Sequence, residues 1–77
     1  GEREYVLSAR LEIEKVNETF GLDLPESDDY LTVGGLILNR YQSFPKLHEV
    51  IEVDNCQFKI IKVTATKIEL VRLKVIE

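Results

Sequence analysis

Val50-Ile51-Glu52-Val53-Asp54-Asn55-Cys56-Gln57-Phe58-Lys59-Ile60-Ile61-Lys62-Val63-Thr64-Ala65-Thr66-Lys67-Ile68-Glu69-Leu70-Val71-Arg72-Leu73-Lys74-Val75-Ile76 decides the fold class. β-Branched and aliphatic residues dominate three runs: Val50 to Val53, Gln57 to Thr64, and Ile68 to Ile76. Asp54-Asn55 and Thr64-Ala65-Thr66-Lys67 are the turn signals between them. Three strands with links this short form an antiparallel meander. Alternation fails at Ile60-Ile61 and again at Leu70-Val71. That failure reads either as a bulge or as strands buried on both faces. If the last run, Ile68 to Ile76, lies at a sheet edge, it can pair with a second copy of the chain, and a homodimer is then expected.

Upstream of the meander the period changes from two to helical. Val33, Leu36, Ile37 and Tyr41 share one face of a helix over Val33 to Tyr41. Thr32 is its expected N-cap, because its hydroxyl can accept a first-turn N–H. Gly34 and Gly35 stand in that first turn, where glycine costs about 1 kcal/mol each relative to alanine. Two compensations stay open. The helix backbone approaches a neighbouring element closely, which is the commoner reason, or an anionic ligand approaches the first-turn N–H groups. In the second case Thr32, Gly34 and Gly35 are the ligand-contacting residues.

Before Thr32, Leu22 to Tyr30 reads as a loop, with Pro25 forcing Leu24 toward extended geometry. Glu26, Asp28 and Asp29 suggest a cation site at first sight, but acids and Ser27 ahead of a helix are turn and capping chemistry. Ile13, Val16, Asn17 and Phe20 fall at helical spacing, and Gly21 is the expected left-handed C-terminal residue. Tyr5 to Leu11 alternates as a strand, with Tyr5, Leu7, Ala9 and Leu11 on one face. The order strand, helix, helix, strand, strand, strand implies an α+β fold, a mainly antiparallel sheet with two helices packed on one face.

With 77 residues the chain holds one small domain. Residues 1–4 lack a starting Met and read as a tag or linker remnant, leaving 5–77 as the domain. The single cysteine, Cys56, excludes an internal disulfide and favours a reducing compartment. One His and one Cys do not make a zinc site of the usual kind. There is no apolar run of membrane-spanning length and no secretory leader pattern, so membrane insertion is not expected. Net charge is −4, and the one basic stripe (Lys59, Lys62, Lys67, Arg72, Lys74) is interspersed with Glu52, Asp54 and Glu69. Nucleic-acid binding is therefore not expected.

Catalytic candidates are few. Ser8, Ser27, Ser43 and Cys56 are the available nucleophiles and His48 is the only imidazole. None sits in a nucleophile elbow or hydrolase signature. Gly34-Gly35 lacks the third glycine and preceding strand of a dinucleotide fingerprint. An enzyme is not expected.

Tyr30-Leu31-Thr32-Val33-Gly34-Gly35-Leu36-Ile37-Leu38 resembles the aromatic-x-Thr-x-Gly-Gly-aliphatic signature of the CorC/HlyC transporter-associated domain. Phe44-Pro45-Lys46-Leu47-His48-Glu49-Val50-Ile51 is similar to the family's connector. Gln57 to Val63 and Ile68 to Val75 resemble its last two strands. Three departures stand out: Ser8-Ala9 replaces the family's Asp-Gly, His48 replaces a glycine, and Ala65 or Thr66 stands where the final hairpin often has one. The resemblance implies a fold similar to half of a flavoenzyme FAD-binding domain. It also implies a regulatory domain, cytoplasmic or on the inner face of the membrane, attached to CBS domains and in many parents to a membrane domain. Those parents are magnesium and cobalt efflux proteins or hemolysin-like proteins. An adenine nucleotide or FAD is the ligand the fold relationship allows, and the family motif supplies no catalytic residue.

Overall fold

The computed structural model describes residues 3–76. Its elements run β1 (Glu4–Ser8), α1 (Ile13–Phe20), α2 (Val33–Tyr41), β2 (Val50–Val53), β3 (Cys56–Val63) and β4 (Ile68–Val75). The four strands form one sheet in the order β1-β4-β3-β2, with every neighbouring pair antiparallel. This is the α+β architecture expected, with the meander β2-β3-β4 as its frame. Of the residues expected to precede the domain, Gly1 and Glu2 lie outside the described residues, whereas Glu4 pairs with Lys74.

Register divides the strand residues between two faces. Tyr5, Leu73, Phe58 and Ile51 line up across the sheet, and Leu7, Val71 and Ile60 form the next inward row. Phe58, Ile60, Val71 and Leu73 are fully buried. The helices cover this face with Ile13 and Val16 from α1 and Val33, Leu36 and Ile37 from α2. Neither helix is long enough to persist alone, so packing onto the sheet stabilises both. Tyr5 and Phe20 extend the core with ring centroids 4.3 Å apart.

Two expectations are corrected. β4 is an inner strand, paired with β1 on one side and β3 on the other, so it has no free edge for a second copy; the sheet edges are β1 and β2. The first strand stops at Ser8 instead of running to Leu11. Beyond Ser8 the chain turns: Leu11 N–H donates to the Ser8 carbonyl at 3.2 Å and Ala9 N–H to the Glu69 carbonyl at 2.9 Å. Leu11 consequently points partly to solvent, while Ala9 is buried.

The broken alternation is a bulge. Ile60 pairs with Val71 but Lys62 pairs with Leu70, so Ile61 is the extra residue on β3; Val63 then pairs with Ile68, which leaves Glu69 extra on β4. The departures from family glycines are accommodated differently. His48 does adopt a left-handed backbone, φ 70°; its N–H donates to the Ile60 carbonyl at 2.7 Å and Ile60 N–H returns to the Glu49 carbonyl at 2.9 Å. The final hairpin has no positive φ at Ala65 or Thr66. There the Thr64 hydroxyl accepts from Lys67 N–H at 3.0 Å and stands in for glycine geometry.

Candidate functional site

The start of α2 is the meeting point of the residues singled out by sequence. Thr32 is extended and its Oγ1 accepts from Gly35 N–H at 3.2 Å, which makes it the N-cap. Val33 N–H donates to the Leu11 carbonyl at 2.9 Å and Gly34 N–H to the Ala9 carbonyl at 2.8 Å. Leu36 N–H closes the first helical bond to the Thr32 carbonyl at 2.9 Å. Every N–H of the first turn is thus engaged inside the protein, two of them by the segment that follows β1.

That segment also accounts for Gly34, and the loop before α2 accounts for Gly35. A Cβ on Gly34 would stand 3.2 Å from the Ala9 carbonyl oxygen and 3.3 Å from the Ala9 Cβ. One on Gly35 would stand 3.0 Å from the Tyr30 Cβ. Both positions are close approaches of helix backbone to a neighbouring element. Around them lies an open depression of about 450 Å³, walled by Thr32, Gly34, Gly35 and Leu38 and rimmed by Arg10 and Lys67. Its charged atoms come from side chains rather than from the helix terminus.

The loop before α2 is held by two side chains whose roles are not evident from spacing. Asn17 sits at a helical position beside apolar residues, and its amide clamps the Leu24 backbone from both sides. Leu24 N–H donates to Oδ1 at 2.8 Å and Nδ2 donates to the Leu24 carbonyl at 3.0 Å. The Tyr30 hydroxyl donates to the Pro25 carbonyl at 2.7 Å. Within the acidic stretch, Asp29 N–H donates to Ser27 Oγ at 3.0 Å, which is turn chemistry. Among the described residues, no three His, Cys, Asp or Glu side chains group as metal ligands.

The nucleophile candidates do not converge with the imidazole. Cys56 opens β3 opposite Val53 and Val75. His48 bonds the middle of the same strand, at Ile60, and the four-residue rise from Cys56 to Ile60 spans roughly 13 Å. Burial pushes the Cys56 thiol pKa up; Asp54 adds to the rise and Arg3 opposes it. A buried thiol of raised pKa behaves as a small apolar side chain. Glu49, next to His48, is a structural anchor: its Oε1 accepts from Lys46 N–H at 2.8 Å and its Oε2 from the Tyr41 hydroxyl.

Comparison with known proteins places this geometry. The family model of the transporter associated domain, CorC_HlyC, matches residues 1–77. The magnesium and cobalt efflux protein CorC of Escherichia coli K12 is 30% identical over 71 residues, covering 92% of this chain and 24% of that protein. The chain therefore spans about a quarter of the length of the curated relatives it matches. The crystal structure of a hemolysin domain from Enterococcus faecalis superimposes with a TM-score of 0.84 at 25% identity, covering 100% of this chain and 93% of that one. The transporter associated domain from Nitrosomonas europaea gives 0.83 at 26% identity, covering 97% and 89%. This chain belongs to the CorC/HlyC transporter associated domain family.

Proposed function

We propose that the domain is a regulatory accessory module of an ion-efflux or hemolysin-like protein, and that it works by docking and not by bond-breaking. The observation that carries this reading is the partial coverage of the relatives. A protein named for magnesium and cobalt efflux holds a domain like this one in about a quarter of its length. The remaining chain supplies both the transport activity and the surfaces to be regulated. In this reading its partners are the CBS domains and membrane domain of the parent chain, and it lies on the cytoplasmic side. Among the described residues no helix is long and apolar enough to cross a membrane, which fits a module carried beside the spanning part. Coupling then requires that the domain bind one state of the parent better than another.

The test is magnesium and cobalt efflux from cells that carry the intact parent or a parent with residues 5–76 deleted. Efflux that persists but responds to a several-fold different internal ion level supports a regulatory module. Efflux identical in rate and threshold overturns it.

The depression beside α2 favours a second reading, a small anionic ligand such as an adenine nucleotide. Its volume of about 450 Å³ falls within the usual range for ligand clefts. Phosphate oxygens would meet Arg10 and Lys67, with Thr32, Gly34 and Gly35 as the wall. No aromatic side chain lines it, so a flavin ring would lack a stacking partner. Thermal shift of the protein with ATP, AMP and FAD, repeated for Arg10→Ala/Lys67→Ala, decides between them. A shift with ATP that the double variant abolishes supports the nucleotide; silence with all three removes it.

A further inference from the structure

The basic stripe of the last third of the sequence acquires a shape only through strand register. On the face of the sheet away from the helices, Val6, Arg72, Lys59 and Val50 line up across all four strands. The neighbouring row is Glu4, Lys74, Gln57 and Glu52. Arg72 and Lys59 are direct cross-strand partners, an arrangement that brings Cβ atoms within about 5.5 Å and costs stability for like charges. Among the described residues, the ion pairs are Lys15–Glu18 and Arg40–Asp54, and none engages Lys59, Arg72 or Lys74. Glu52 is bonded instead by the Gln57 amide at 3.1 Å. At the two ends of the first row Val6 and Val50 are 59% and 50% exposed, well above the rest of the strand valines and isoleucines.

On a protein of net charge −4, Lys59 and Arg72 thus sit at the centre of the sheet face away from the helices, outside the ion pairs among the described residues and flanked by exposed aliphatic groups. A shallow depression of about 160 Å³ runs between Glu4, Val50, Gln57, Lys59, Arg72 and Lys74. That is too small for a nucleotide-sized ligand but sufficient to seat individual side chains. The row spans three interstrand gaps, roughly 14 Å, the reach of a few residues of extended chain. Glu52, exposed at the end of the adjacent row, would repel a continuous polyanion such as nucleic acid or an anionic bilayer. A polypeptide can place carboxylates over Arg72 and Lys59 and aliphatic side chains over Val6 and Val50 while avoiding Glu52.

We propose that the open face of the sheet, centred on Lys59 and Arg72, docks an acidic polypeptide segment that carries carboxylates between aliphatic side chains. This deepens the accessory-domain reading and rests on it for the existence of a partner. Arg72 supplies a fork able to hold a carboxylate in two hydrogen bonds, Lys59 and Lys74 supply point charges, and the valines exclude water at either side.

Zero-length carbodiimide cross-linking of the intact protein carrying this domain tests the surface, because it joins lysine ammonium groups only to carboxylates in direct contact. The expected result is that Lys59 and Lys74 link to Asp or Glu outside positions 1–77. The yield should fall about tenfold in Arg72→Glu, which keeps both lysines. Lys15 and Lys46, away from this face, should be unaffected. Links from Lys59 and Lys74 confined to acids within positions 1–77 overturn the proposal. So does shielding of these lysines from acetylation only when phosphatidylserine vesicles are added, which would make the face a lipid surface. Arg72→Gln serves as the milder variant should the reversal unfold the domain. If deletion of residues 5–76 alters efflux while the cross-links avoid Lys59 and Lys74, the surface is refuted and the accessory role stands.

Discussion

The two faces of the sheet are built from alternate residues of the same strands, yet they are subject to different physical demands. The inward rows, Tyr5-Leu73-Phe58-Ile51 and Leu7-Val71-Ile60, are apolar and covered by helices. The outward row, Val6-Arg72-Lys59-Val50, places like charges side by side and leaves aliphatic side chains in water. Burial explains every choice on the first face. On the second, no feature of the domain's own stability calls for two adjacent cations, and that is the mark of a surface composed for something outside the domain.

Phe58 and Lys59 are neighbours in sequence on opposite faces, so they test the division most sharply. Phe58→Ala removes a fully buried ring and should destabilise the domain by about 3–5 kcal/mol. Lys59→Ala should change stability by less than about 0.5 kcal/mol. Urea denaturation followed by circular dichroism measures both. Comparable losses would mean that the outward row is structural after all.

The covered face depends on how closely α2 approaches the chain after β1. Gly34→Ala gains helix propensity of about 1 kcal/mol but drives a methyl to 3.2 Å from the Ala9 carbonyl oxygen, which itself accepts the Gly34 N–H. Overpacking against backbone has no flexible group to yield, so the net loss should be about 1–2 kcal/mol. Asn17→Ala should follow, with a loss of about 1–2 kcal/mol, because the Leu24 N–H and carbonyl lose their partners together. Its loss should show first in faster amide exchange across residues 22–26, since the clamp is local.

What sequence conveys about the two faces is unequal for a physical reason. The inward face is a matter of local periodicity, so the meander, the Thr32 cap and the Gly21 terminus are legible from side-chain spacing. The first strand is misjudged at its end because Ala9 and Leu11 keep the alternating pattern while their backbones are recruited by Glu69 and Val33. Periodicity carries no information about a partner 60 residues away for Ala9, or 22 away for Leu11. The close contact between Ala9 and Gly34 is tertiary, so the glycines alone favour packing as the commoner reason but do not exclude a ligand. The outward basic cluster is least legible. Lys59 and Arg72 are 13 positions apart, and only the register of β3 against β4 sets them side by side.

A pH titration separates the faces by chemistry. Cys56 belongs to the covered side, and its thiol pKa is raised above the ordinary thiol value by burial first and by Asp54 second, with Arg3 opposing. The folded protein therefore holds the thiol proton more tightly than the unfolded chain does. Its contribution to stability is complete below the unfolded pKa and is lost as pH rises through the folded value. Thermal melts from pH 7 upward should show a decline setting in near pH 9 that is shallower in Cys56→Ala. Equal slopes for the two proteins would show that Cys56 titrates as freely folded as unfolded.

The smallest effect is the most informative about the open face. If Lys59 and Arg72 are kept for a partner, the isolated domain should be indifferent to, or improved by, removing their repulsion. Lys59→Glu converts a like-charged cross-strand pair into an opposite-charged one, worth about 0.2–1 kcal/mol of added stability. The gain should shrink with added salt, because both groups are solvent-accessible and screened within about 10 Å at 0.1 M ionic strength. The same substitution should weaken docking of an acidic segment, so stability and association would move in opposite directions. A domain destabilised by Lys59→Glu would mean that the cation is held by its own fold, and the contrast between the faces would fail at its centre.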